Sequence, residues 1–224
     1  YGTGEKNLNY PVKDAKELKQ VFDRQGATTA IITSKYVTRE NIDRKLDAIM
    51  KLAGPDDTII FFFSGHGGPN AFCCYQFVLY PYKELAAKLS NARTQKVFCF
   101  IDACHSGTSS RDEIDDEDVI RGTYLGFSEN GKIFAPRINK QGNFIIDKIP
   151  GSSDIIILEA CRAYQYNKEV FKNGKNYGAL SYYVSETLNN QIITKNLDWV
   201  LRVRDLMEKD NALTEQNMVY ESSF

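Results

Sequence analysis

Two hydrophobic rhythms alternate along the chain. Residues 11–25 place Val12, Ala15, Leu18, Val21 and Phe22 at helical spacing, and Gly26 closes the run. Residues 38–52 repeat the pattern through Ile42, Leu46, Ile49 and Met50, with Thr38 as N-cap and Gly54-Pro55 as stop. Between them, residues 28–33 are short and β-branched and predict a strand. Two unbroken apolar runs follow, Thr58-Ile59-Ile60-Phe61-Phe62-Phe63 and Val97-Phe98-Cys99-Phe100-Ile101, which read as strands buried on both faces. Residues 72–80 form a mixed aromatic stretch read as a strand, and residues 82–91 read as a helix through Leu85, Ala86 and Leu89. Residues 154–161 predict another buried strand, residues 177–188 and 197–207 two helices, and residues 217–224 an edge strand. Alternating strands and helices imply an α/β fold: a mostly parallel central sheet with helices on both faces.

Residues 108–152 break this rhythm. They carry the acidic run Glu113-Ile114-Asp115-Asp116-Glu117-Asp118 amid glycines and basic residues, and are too long for an ordinary connection. With 224 residues the chain suits one domain, divided into a 1–107 part, the 108–152 loop and a 153–224 part. A net charge of −1 argues against a nucleic-acid surface. No run approaches the ~20 apolar residues of a membrane span. The first residues are polar and unlike a signal peptide. The five cysteines, at 73, 74, 99, 104 and 161, fit neither a disulfide framework nor a zinc site, so a reducing, cytoplasmic setting is expected.

The chemistry sits where the two longest apolar runs stop. One ends in Ser64-Gly65-His66-Gly67-Gly68, the other in Asp102-Ala103-Cys104-His105-Ser106-Gly107. Parallel neighbours would deliver Cys104 as nucleophile and His66 as base to one sheet edge. His105 adjoins the cysteine in sequence, and adjacent side chains at a strand end diverge. The glycines leave room for a substrate backbone, and the amides of Gly67 and Cys104 suit an oxyanion hole. From these residues alone two readings stand: a catalytic pair, or a small buried thiol with a satisfied structural imidazole.

The paired motifs Ser64-Gly65-His66-Gly67 and Asp102-Ala103-Cys104-His105-Ser106-Gly107 resemble those of the caspase superfamily of cysteine peptidases, in its metacaspase and bacterial caspase-like branch. Leu158-Glu159-Ala160-Cys161-Arg162-Ala163-Tyr164-Gln165 and Tyr177-Gly178-Ala179-Leu180-Ser181 resemble the family's small-subunit part. The resemblance implies a three-layer α/β/α sandwich and peptide-bond hydrolysis through a thioester by Cys104 and His66. It also implies a pocket for Arg or Lys on the acyl side, built from Asp102 and Asp14, with Ser64 lining it. For Asp14 a solvated first-turn helix position is the other reading. The alternative function is a catalytically silent caspase-like scaffold or signalling module.

Further expectations follow from the resemblance. No cofactor is expected. Calcium is the one candidate, since carboxylates such as those of residues 113–118 are its ligands, but residues 69–81 lack the acidic insertion found in calcium-dependent relatives. Basic residues in the 108–152 loop, among them Arg111, Arg121 and Lys148, make the chain a candidate self-processing zymogen. The family's first, central strand has no counterpart ahead of residues 1–10, which leaves a gap beside residues 28–33. An upstream fragment or partner chain would complete the sheet. Apart from that, the expected partner is a protein or peptide substrate, with neither nucleic acid nor membrane.

Overall fold

The computed structural model describes residues 8, 10–68, 71–103, 153–161, 165, 167–193, 197–214 and 216–222. Cys104, His105 and the acidic run at 113–118 lie outside the described residues, as do the basic residues of the 108–152 loop.

The central sheet pairs residues 58–65, 96–103, 154–159 and 219–222 in that order. β1 (Thr58–Gly65), β5 (Lys96–Ala103) and β6 (Asp154–Glu159) run parallel, and β9 (Val219–Ser222) closes one edge antiparallel to β6. Helices cover both faces, which is why β5 and β6 can be apolar at nearly every position. On one face α1 (Pro11–Arg24), α4 (Ala179–Asn190) and α5 (Asp198–Glu208) pack against Phe98, Phe100, Ile156 and Leu158. There the Trp199 ring meets Phe98 edge-on, with centroids 4.8 Å apart, and lies 5.5 Å from Phe100. On the other face α2 (Arg39–Leu52) and α3 (Tyr82–Leu89) pack against Val97, Cys99, Ile101, Ile155 and Ile157. Successive residues of each strand therefore serve opposite layers. The result is an α/β/α sandwich around a mostly parallel sheet.

The helix starts follow local chemistry. Pro11 opens α1, where a missing N–H costs nothing, and Gly26 ends that region with φ +81°. The Thr38 hydroxyl accepts from the Asn41 amide to cap α2.

Three expectations need correction. Residues 28–33 do not form a strand: their backbone groups pair with no strand among the described residues. β-branched residues favour extended backbone, but a strand needs a hydrogen-bonding neighbour, and none of the described strands lies beside this segment. Instead a cavity of about 1140 Å³ separates it from β1, lined on its helical sides by Val12, Leu18, Ile42 and Leu46. Residues 72–80 are not one strand but β3 (Ala71–Cys73), a 3-10 turn (Tyr75–Phe77) and β4 (Leu79–Pro81), because Gln76 and Phe77 take left-handed backbone. With β2 (Gly67–Gly68) these make a small antiparallel sheet on the α2/α3 face. Residues 175–178 belong to a hairpin, β7 (Glu169–Lys172) with β8 (Lys175–Gly178), so the helix predicted from residue 177 begins at Ala179. Among the described residues no helix is long and apolar enough to cross a membrane.

Candidate active site

β1 and β5 pair in parallel with Ser64 opposite Asp102 and Gly65 opposite Ala103. The last described residue of β5 is Ala103, and the next position in sequence is Cys104. His66 follows β1 directly and is half-buried. Its carbonyl accepts from the Cys73 amide at 2.8 Å, which ties the histidine to β3. Gly67 is the register partner of Phe72.

The structure gathers Asp14, Ser64 and Asp102 into one cluster. Phe98 and Phe100 face the α1/α4/α5 layer, and Asp102, two residues on, points the same way. Ile60 and Phe62 also face that layer, so Ser64 follows them. Asp14 sits on the first turn of α1, and both aspartates are only 2% exposed. Asp14 is therefore not the solvated helix residue of the alternative reading. The Ser64 hydroxyl and the Gly178 amide each donate to Asp14 Oδ2 at 3.2 Å. Asp14 Oδ1 is buried and has no hydrogen-bond partner among the described residues.

Asp102 is better provided. Its Oδ2 accepts from the Ser181 amide at 2.7 Å and from the Ser181 hydroxyl, and its Oδ1 accepts from Asn167 Nδ2 at 2.7 Å. Ser181 lies in the first turn of α4, so the carboxylate sits where the helix dipole favours negative charge. Behind it, Gln216 Nε2 donates to Asn167 Oδ1 and to the Ala160 carbonyl, both at 2.9 Å, which fixes the asparagine.

Gly178 is the point of contact between the two acids. A Cβ there would collide with the Asp102 carboxylate, 2.9 Å from its Cγ, and come within 3.1 Å of Asp14 Oδ2. The electrostatics follow from this crowding. Burial, and then the neighbouring charge of Asp102, push the Asp14 carboxyl up to about 7. Burial also raises Asp102, against the donors of Ser181 and Asn167. Glu169 is raised by its own burial and then by Asp102. Two acids this close and this dry are an unfavourable pair that a cation between them would relieve. Lys13, the basic neighbour, turns away: its Nζ donates to the Asn176 carbonyl at 2.9 Å and lies 3.3 Å from the Tyr177 ring centre.

Sequence reasoning placed Gly178 and Ser181 in a family-like segment without giving them a role, and it missed Asn167 and Gln216. One signal was available: Asn173-Gly174, with φ of +53° and +75°, is the dipeptide that favours a tight hairpin turn, and that hairpin carries Gly178 to the acids. The other thiols are poor nucleophiles. Burial pushes Cys74 up to about 12 and raises Cys73 and Cys99. Cys161 is fully buried. Among the described residues no group of three or more His, Cys, Asp or Glu is placed to hold a metal ion.

A sequence profile of the caspase domain matches residues 1–224. Metacaspase-1 of Scheffersomyces stipitis is 22% identical over 202 residues, covering 70% of this chain and 50% of that protein. Metacaspase-1 of Debaryomyces hansenii is 23% identical over 264 aligned residues, covering 92% and 60%. The chain thus spans about half the length of the curated relatives it matches. Among solved structures, protein GSU0716 of Geobacter sulfurreducens superposes with TM-score 0.61 at 16% identity, over 94% of this chain and 82% of that one. Caspase-1 of Spodoptera frugiperda superposes with TM-score 0.57 at 15% identity, over 93% and 75%. These two likenesses concern the fold.

Proposed function

The chain belongs to the caspase-domain family, and on that premise we propose that it is a cysteine endopeptidase that cuts after Arg or Lys, with Cys104 as nucleophile and His66 as general acid–base. In this reading the Cys104 thiolate attacks the scissile carbonyl carbon, and the oxyanion is held by the amides of Gly67 and Cys104. As the C–N bond breaks, His66 delivers a proton to the leaving amine. A water, deprotonated by His66, then attacks the thioester, and the C–S bond breaks to release the acid and restore the thiol. Asp14 and Asp102, with Ser64, hold the basic side chain that precedes the scissile bond.

The observation that carries the specificity is the acid pair itself. One buried oxygen of Asp14 lacks a donor, and a guanidinium or ammonium between the carboxylates supplies it. An acidic substrate side chain would add a third acid beside the pair.

Paired fluorogenic peptides ending in Arg and in Asp test this, with Cys104→Ala as control. The expected result is cleavage of the Arg peptide alone, loss of at least about 10³-fold activity in Cys104→Ala, and iodoacetamide labelling at Cys104. Intact mass of both chains shows in addition whether any cut in the 108–152 loop depends on the cysteine. Cleavage of neither peptide with an unreactive Cys104 would favour the scaffold reading.

A further inference from the structure

The turn between β3 and β4 carries strain that its sequence does not explain. Gln76 (φ +57°, ψ +28°) and Phe77 (φ +59°) are consecutive non-glycine residues in the left-handed region. Such backbone is unfavourable for a residue with a side chain, and strain of this kind is kept where it places a group that matters. Here it is held by several backbone bonds. The Cys74 amide donates to Val78 O at 2.7 Å, the Tyr75 amide to Val37 O at 2.7 Å, and the Phe77 amide to Cys74 O at 3.1 Å. The Cys73 amide clamps the same hairpin to the His66 carbonyl.

What the strain places is an aromatic ring beside the imidazole. The Phe77 and His66 ring centres are 5.7 Å apart, tilted by 35°. Phe77 is nonetheless 45% exposed, and Val78 (50%) and Leu79 (46%) continue the apolar surface. A contiguous exposed apolar run next to a reactive group is the form a ligand-contacting wall takes.

Its side of the sheet gives its role. Asp14, Ser64 and Asp102 belong to the α1/α4/α5 face, whereas the β3–β4 hairpin packs through Phe72, Cys74 and Tyr80 into the α2/α3 face. His66 leaves the end of β1 between the two. If the acids hold the residue before the scissile bond, and His66 must reach the leaving amine, the surface beyond His66 faces the residue after that bond.

We propose that Phe77, with Val78 and Leu79, forms an apolar subsite for the first residue after the scissile bond, so that the peptidase selects a basic residue followed by a bulky apolar one. The proposal rests on the reading of Cys104 and His66 as the reacting pair. A peptide series with Arg fixed before the bond and Leu, Phe, Gly, Lys or Asp after it tests this by kcat/KM. The expected preference for Leu or Phe over Gly is about 10-fold or more, and Phe77→Ala reduces it to within about twofold. Phe77→Gly provides the second variant: glycine is at home at φ +59°, so this chain keeps its fold while losing the ring, and the preference must collapse there too. A wild-type preference near one, or one unchanged in both variants, would overturn the subsite. So would a uniform loss across the series, which marks Phe77 as a mere prop for His66. If wild type cuts no member and Cys104 resists iodoacetamide, the peptidase reading falls together with the subsite; cleavage without preference removes the subsite alone.

Discussion

β1 and β5 carry the same kind of sequence, Thr-Ile-Ile-Phe-Phe-Phe-Ser-Gly and Lys-Val-Phe-Cys-Phe-Ile-Asp-Ala, yet they end in different surroundings. In β5 seven of eight residues are buried; in β1 only Ile59, Phe63 and Gly65 are. β5 is paired on both edges, by β1 and β6, whereas among the described residues β1 is paired with β5 alone. Its other edge looks into the cavity that ends at residues 27–33. A strand's burial is thus set by what lies at its two edges, and its own hydrophobicity records only that two neighbours were allowed for.

The widest contrast should appear in truncation. Phe100 is fully buried against Trp199, so Phe100→Ala should cost about 3–5 kcal/mol in chemical denaturation. Phe62, half-buried on the cavity side of the same sheet, should cost no more than about half as much on the same scale. Equal costs would break the distinction between the paired and the open half of the sheet.

A smaller effect separates the acid cluster from the rest of the core. The Asp14 carboxyl stands at about 7 in the fold against 3.8 unfolded. Between these values the native chain binds more protons than the unfolded one, so Asp14 lowers stability as pH rises from about 4 to about 7, and the loss is complete above that. Asp102, raised in the same direction, adds to the trend. Relative to Asp14→Asn, the wild-type Tm should fall by on the order of a few degrees from pH 5 to pH 8. A parallel course of the two melting curves would show that the cluster is not strained by its charge.

Much of this was legible in the sequence, for identifiable reasons. α1, α2, β1, β5 and β6 are long and strongly periodic, and their edges carry Pro11, Thr38 and Gly26 in roles that only local chemistry dictates. The joint presence of Asp14, Ser64 and Asp102 followed from parallel register together with the family resemblance. Residues 28–33 misled because propensity speaks for extended backbone but is silent on whether a partner exists. The left-handed backbone of Gln76 and Phe77 has no sequence signal, since nothing in an aromatic residue favours positive φ. Asn167 reaches Asp102, and Gln216 reaches Asn167, through tertiary contacts distant in sequence.

In the proposed specificity a cation is drawn between Asp14 and Asp102, and a peptide pair that differs only in charge tests this most directly. One peptide carries Arg before the scissile bond, the other citrulline, which keeps the shape and removes the charge. Wild type should prefer Arg by about 100-fold in kcat/KM, as expected for a buried charge pair, and Asp14→Asn should cut that ratio by about tenfold. An Arg-to-citrulline ratio near one in wild type, or one untouched by both Asp14→Asn and Asp102→Asn, would contradict it.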